Sequence, residues 1–260
     1  RGCFPGVHKD DPTGGKWDCK KLGVRTPRKW GWPSLYCFSV FMLSTYEAGL
    51  MRQALRTNGG IGIFQCEMYD VFSQDGETWL GDGPNGQVRT HHFDKAMVIR
   101  SVDGTAGNMQ LFMNVWSAVR WVGAYKLTDW TVKVDPDAVM IVDRLRGHLK
   151  PHTGQKAYIV NCNKPMATGP MMFGSLEAIS KQALDAYFAS GDTCHSHYDW
   201  GEDRWMGDCL SKLGIAGVAD FTMVGDGVCL GNHACADGRA AYHPFKNEGA
   251  WINCYNTASR

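Results

Sequence analysis

Trp130-Thr131-Val132-Lys133-Val134-Asp135-Pro136-Asp137-Ala138-Val139-Met140-Ile141 is the stretch that decides the fold. Trp130, Val132 and Val134 alternate with Thr131 and Lys133, the pattern of a half-buried strand. Pro136 has no amide hydrogen and a fixed φ, so the strand is expected to end at the Asp-Pro-Asp turn. Carboxylates two positions apart at a strand end project to the same side. The stretch therefore predicts a stiff pair of hard oxygen ligands, Asp135 and Asp137, at the carboxyl end of a buried strand. Open α/β sheets bind ligands at that end, and two carboxylates there suit Mg²⁺ or Mn²⁺ carrying a phosphate. The plain alternative is a strand closing in a solvated turn.

Outward from this stretch the chain reads as alternating strands and helices. Leu35 to Leu43 is a continuous apolar run of strand length, typical of a strand covered on both faces. Ser44-Thr45 reads as a cap, Tyr46 to Thr57 as a helix stopped by Asn58-Gly59-Gly60, and Ile61 to Phe72 as a second strand. A strand, helix, strand unit starts a parallel sheet. Ser73 to Arg89 reads as a loop, Val98-Ile99 as a short strand, and Met109 to Tyr125 as a core helix leading into the Asp-Pro-Asp strand. Further on, Ala157 to Cys162 is expected to be a strand, Leu176 to Ala189 and Glu202 to Leu213 helices, and the last forty-odd residues mostly loop. These elements predict one α/β domain over residues 35–260 with a mostly parallel central sheet flanked by helices. Residues 1–34, rich in Gly, Pro, Lys and Trp, read as an irregular arm pinned by a disulfide and by Trp17, Trp30 and Trp32.

Composition narrows the class. A chain of 260 residues can bury a substantial core, and its net charge of +1 argues against a general nucleic-acid binder. No apolar run is long enough to cross a membrane. The opening Arg1-Gly2-Cys3-Phe4-Pro5-Gly6 is expected to be a processed or truncated start. The ten cysteines include no C-x-x-C pair, and loop cysteines such as Cys229 and Cys235 read as disulfides of an oxidising compartment. Short loops suggest Cys3 with Cys19 and Cys229 with Cys235. The alternative is a reduced, cytosolic protein with free thiols, or zinc at Cys229, His233 and Cys235.

Asp135-Pro136-Asp137 resembles the D-x-D motif of GT-A fold glycosyltransferases. Three downstream segments, Gly169-Pro-Met-Met-Phe-Gly-Ser-Leu-Glu-Ala-Ile-Ser-Lys-Gln-Ala-Leu184, Gly201-Glu-Asp-Arg-Trp-Met-Gly-Asp-Cys-Leu210 and Ala241-Tyr-His-Pro-Phe-Lys246, resemble elements of the inverting β-1,3-glycosyltransferases of the fringe and core-1 galactosyltransferase type. In that family the first is a Gly-rich strand-to-helix element under the donor and acceptor sugars. The second resembles an E-D-V-x-x-G-x-C-L segment, with Arg204 in place of the usual apolar residue. The third carries a late metal-binding His. The resemblance implies a metal-dependent, hexosyltransferase-like enzyme using a nucleotide sugar, a UDP-sugar in particular, and a glycan or glycoprotein acceptor. It implies Mn²⁺ (or Mg²⁺) held by Asp135, Asp137 and His243, with Asp135, Lys133 and Gly174 on the donor side. Asp203 is the expected base, with Glu202 the second choice. It also implies a secretory-pathway lumen such as the Golgi, or an extracellular setting.

Each residue also has a plainer reading. Glu202-Asp203 is the acidic pair that any helix start favours. Lys133 either contacts a phosphate or points to solvent. Asp226 in Val-Gly-Asp-Gly reads as a turn residue, and His195 and His197 as a metal cluster, cleft residues or loop. A glycosyltransferase-like domain without turnover, serving as a structural or sugar-binding subunit of a surface assembly, is the competing function.

Overall fold

The computed structural model describes residues 31–260 apart from 85, 102–105, 165–168, 195–198, 230 and 232, and apart from the side chain of residue 192. The expected N-terminal arm up to residue 30, its Cys3–Cys19 pairing, His195 and His197 lie outside the described residues.

The central sheet is built from β1 (Leu35–Val40), β2 (Met68–Ser73), β3 (His91–His92), β4 (Trp130–Val134), β6 (Ala157–Val160), β7 (Leu176–Ser180) and β8 (Ala216–Ala219); β5 (Val139–Met140) belongs to a smaller sheet. Its order is β8-β6-β7-β4-β1-β2-β3. Neighbours run parallel except the two pairs made by β7. The smaller sheet joins β9 (Val224–Asp226), β10 (Ala241–His243) and β5, with β10 in the middle.

The helices follow from caps and apolar spacing. Thr45 accepts the Glu47 amide and opens α1 (Tyr46–Arg56). α2 (Met109–Val122) buries Leu111, Phe112, Val115 and Val119 and stops at Gly123, whose φ of +75° suits glycine. The remaining helices are α3 (Val142–Leu149), α4 (Lys181–Ala189), α5 (Glu202–Lys212) and α6 (Glu248–Ala258).

Alternation along the strands splits the core in two. Leu35 and Cys37 of β1 pack with α1, α3 and α6, whereas Tyr36 and Phe38 pack with α2, α4 and α5. β4 is therefore not half-buried: Thr131 and Lys133, on its second face, are as buried as Trp130, Val132 and Val134. β1 connects through α1 to β2 on one side, while β4 lies on its other side. The strand order thus reverses between β1 and β4, and the crevice beyond their carboxyl ends is where this topology places a ligand.

Several expected elements change. The strand expected from Ile61 starts only at Met68, because Gly62–Gln65 forms a tight 3₁₀ turn and Cys66 is tied to Cys37. The expected Ser73–Arg89 loop contains an antiparallel ribbon, Trp79–Gly83 with Gly86–Arg89, and Ile99–Arg100 pairs with Ala106–Gly107. Leu176–Ser180, expected as helix, is a strand: it pairs antiparallel to β4, and the helix begins after Ser180, whose hydroxyl accepts the Ala183 amide. The C-terminal segment, expected as loop, supplies β9, β10 and α6; α6 is capped by Asn247 and buries Trp251, Cys254, Tyr255 and Ala258.

The cysteines among the described residues are paired: Cys37–Cys66, Cys162–Cys229, Cys194–Cys209 and Cys235–Cys254. Cys229 and Cys235 are therefore not bonded to each other, and neither thiol is free for zinc. Four disulfides fit an oxidising compartment and not a reduced one. No helix among the described residues is long and apolar enough to cross a membrane.

One ion pair gives a direct stability test. Asp220, after β8, binds His148 of α3 at 2.6 Å and the Thr222 hydroxyl at 2.7 Å. Burial alone would raise its pKa; the contact with His148 outweighs that and holds it near about 2. A depressed carboxylate pKa gives stability that is present above the ordinary value and lost as pH falls through the folded one. Asp220→Asn is expected to cost about 1–2 kcal/mol at pH 7. In urea melts the gap from wild type should close as pH falls from about 4 to about 2; a gap independent of pH would show that the charge is not what stabilises.

Candidate functional site

Asp135 and Asp137 lie just beyond β4, and His243 ends β10. One ligand atom from each lies within 4.8 Å of the others, a group able to hold a metal ion. The fold achieves this by running β10 antiparallel to β5, the short strand that follows the Asp-Pro-Asp turn. The Phe245 amide donates to the Asp137 carbonyl at 2.8 Å and fastens the two segments together.

The imidazole is aimed. Asp226, at the end of β9, is buried, and its Oδ2 binds His243 Nδ1 at 2.5 Å. That leaves Nε2 facing Asp137 Oδ1 at 3.2 Å. A carboxylate on the far nitrogen of a histidine fixes its tautomer and ring orientation. Asp226 also takes the Val228 amide, so the turn role expected from Val-Gly-Asp-Gly is present, but the side chain serves the site as well. Tyr46, at the start of α1, donates its hydroxyl to Asp137 Oδ2 at 3.1 Å. Burial would lower the His243 pKa; its contacts with Asp137 and Asp226 outweigh that and lift it to about 9. The His243 contact likewise overcomes burial at Asp137 and holds that carboxyl below its usual range. Two carboxylate oxygens and one imidazole nitrogen are a donor set able to hold a divalent cation.

Lys133 does not point to solvent. It is 1% exposed, and its ammonium contacts Asp135 Oδ1 at 2.8 Å, Glu202 Oε1 at 2.7 Å, the Gly174 carbonyl at 2.8 Å and Glu177 Oε1 at 3.2 Å. The face of Phe112 lies 4.7 Å from the ammonium. Burial alone would lower the Lys133 pKa, but Asp135, Glu202 and Glu177 hold it well above the ordinary value. The ammonium donates hydrogen bonds to Glu202 and the Gly174 carbonyl, meets Asp135 and Glu177 as ion pairs, and leaves the buried Glu177 carboxyl without a hydrogen-bond partner. Burial, reinforced by Glu202 and Asp203, pushes Glu177 up to about 8. Sequence reading missed Glu177, although it sits directly across from Lys133 in the antiparallel β4–β7 register.

Glu202 and Asp203 open α5 and differ sharply. Glu202 is buried, and Lys133 outweighs burial to keep it ionised, with its pKa below the usual range. Asp203 is partly exposed; Oδ1 accepts the Arg204 amide at 2.7 Å and Oδ2 the Gly174 amide at 3.1 Å. Burial and the neighbouring Glu202 raise Asp203 to about 7. A Cβ at Gly174 would sit 2.8 Å from Glu202 Oε1 and push that carboxylate off Lys133. The Asn108 side chain accepts the Glu202 amide at 2.9 Å and caps the same turn.

No family model matches the chain. Among solved structures it is similar to one described as the crystal structure of a glycosyltransferase involved in the glycosylation of the major capsid of PBCV-1. That similarity has a TM-score of 0.43 at 8% sequence identity and covers 85% of this chain and 99% of that one. A likeness of this size decides nothing about the site; the side chains have to.

Proposed function

We propose that residues 35–260 form a metal-dependent, inverting glycosyltransferase that moves a sugar from a nucleotide-sugar donor, a UDP-sugar by resemblance, to a hydroxyl of a glycan or glycoprotein. One observation carries this reading. A cation-holding group, Asp135, Asp137 and His243, and a partly exposed carboxylate at a helix start, Asp203, lie at two ends of one charge cluster linked by Lys133, Glu202 and Gly174. Their position beyond β1 and β4 fits a nucleotide in the crevice where the strand order reverses.

Asp135, Asp137 and His243 would hold Mn²⁺, whose charge offsets that of the departing nucleoside diphosphate. The rest of the work falls to the chain's own groups. Asp203 accepts the proton of the acceptor hydroxyl as its oxygen bonds to the anomeric carbon and the bond to the diphosphate breaks. Its Arg204 and Gly174 amide contacts orient it, and a pKa near the working pH suits a general base. Glu202 is the poorer choice, because it is buried and Lys133 holds its pKa below the usual range. Displacement with inversion requires the base and the leaving group to bracket the anomeric carbon. The four disulfides support a secretory-pathway or extracellular setting.

The test is calorimetry with Mn²⁺ and a panel of nucleoside diphosphates, followed by a donor-hydrolysis screen. Mn²⁺-dependent diphosphate binding is expected, weakened at least about tenfold in Asp137→Asn. A wild-type protein that binds no nucleotide would bring down the enzyme reading and leave a non-catalytic, sugar-binding or structural subunit in its place.

A further inference from the structure

Lys133 is almost fully buried and lies between the two working ends of the site. Its ammonium donates to the Glu202 carboxylate and the Gly174 carbonyl, and pairs with the Asp135 carboxylate at 2.8 Å. Asp135 is one of the cation-holding residues. Gly174 is the residue whose amide holds Asp203 Oδ2 at 3.1 Å, and Glu202 immediately precedes Asp203. One ammonium therefore touches a cation ligand directly and the base through two short connections.

We propose that Lys133 is a positioning residue that fixes Asp135 at the cation end and Asp203 at the base end of the site. This rests on reading Asp135 as a cation ligand and Asp203 as the base. At Asp135 the ammonium takes Oδ1 and leaves the second carboxylate oxygen for a cation, the way outer contacts orient metal ligands. At the other end it holds the carbonyl of Gly174, the residue whose amide binds Asp203. The missing Gly174 side chain is what lets Lys133, Glu202 and Asp203 converge. Phe112 covers the ammonium, so water cannot substitute for these contacts. Stability alone does not explain such a cluster, because replacing a buried ionic group by apolar residues is often neutral or stabilising. Its placement between the two ends does.

Removing Lys133 alone would strand three carboxylates in a buried site and is strongly destabilising. The experiment therefore compares Lys133→Met/Glu177→Gln with Glu177→Gln, after thermal melts confirm that both are folded. Mn²⁺ affinity is measured by calorimetry without donor, and transfer is measured at saturating Mn²⁺ and donor. The expected result is a Kd for Mn²⁺ weakened about 10- to 100-fold. With it, kcat should fall about 100-fold, and this loss should persist at saturating cation, while the acceptor KM holds. A merely structural lysine would shift the melting temperature and leave both quantities unchanged per folded molecule; that result overturns the proposal, as does a change confined to one end of the site. If the wild-type protein binds Mn²⁺ and transfers no sugar, the enzyme reading fails by itself, and the Kd comparison decides whether Lys133 orients Asp135.

Discussion

Asp203→Asn is expected to lower transfer by about 10²- to 10⁴-fold, the usual cost of losing a general base, while Mn²⁺-dependent binding of the nucleoside diphosphate persists. Asparagine keeps the shape and one of the two accepted amide hydrogen bonds, but it cannot take a proton. The environment makes this assignment specific. Burial and Glu202 lift Asp203 to about 7, whereas Lys133 keeps Glu202 ionised and engaged. On the proposed reading, these two adjacent carboxylates with separated pKa values take separate roles. Because the base works ionised, wild-type turnover should rise with pH through about 7 and then level off, and the variant should lose that rise.

A stability measurement separates lost chemistry from lost structure. A carboxyl whose folded pKa is raised makes the fold less stable as pH climbs from its ordinary value to the raised one. The Asn variant loses one amide contact at every pH, about 1 kcal/mol, but should gain stability relative to wild type as pH rises from about 4 to about 7. A protein as stable as wild type but nearly inactive places the loss in the chemistry. Near-normal turnover of Asp203→Asn would move the role to Glu202 or elsewhere.

How much of this was legible in the sequence depended on whether the signal was local. The β1–α1 unit was legible because Thr45 and the apolar run of Leu35 onward are local signals. Asp135, Asp137 and His243 were legible as a group through their resemblance to known motifs, and the fold does bring them together. Leu176–Ser180 was not, since its alternating pattern was too short to outweigh the helix that follows, and what makes it a strand is pairing with β4. Glu177 and Lys133 became a pair only through that register. Tyr46 reaches Asp137 from a helix start, and nothing in the sequence around it points there. Disulfide partners were equally hidden, because Cys162 and Cys235 find Cys229 and Cys254 through the fold and not through spacing.

α6 was missed although it carried a signal. Trp251, Cys254, Tyr255 and Ala258 recur at the spacing of one helical face, behind an Asn247 cap. The helix matters for the site because Trp251, 2% exposed, donates its indole N–H to the carbonyl of Ala138, the residue after Asp137, at 3.2 Å. Its ring lies parallel to Tyr255 with centroids 6.0 Å apart, and the next turn is tied through Cys254 to Cys235. Trp251→Ala removes the buried indole that binds behind the Asp-Pro-Asp turn and leaves the Ala138 carbonyl without its donor. The expected cost is about 3–5 kcal/mol in urea melts, and Mn²⁺ affinity of the molecules that remain folded should fall, since the turn that holds Asp137 has lost its floor. Trp251→Phe keeps most of the packing and loses the hydrogen bond, so its cost should be nearer 1 kcal/mol, on the order of a single bond. If Trp251→Ala costs no more than Trp251→Phe, the ring is not what supports the turn, and the Cys235–Cys254 disulfide is left to hold α6 against it.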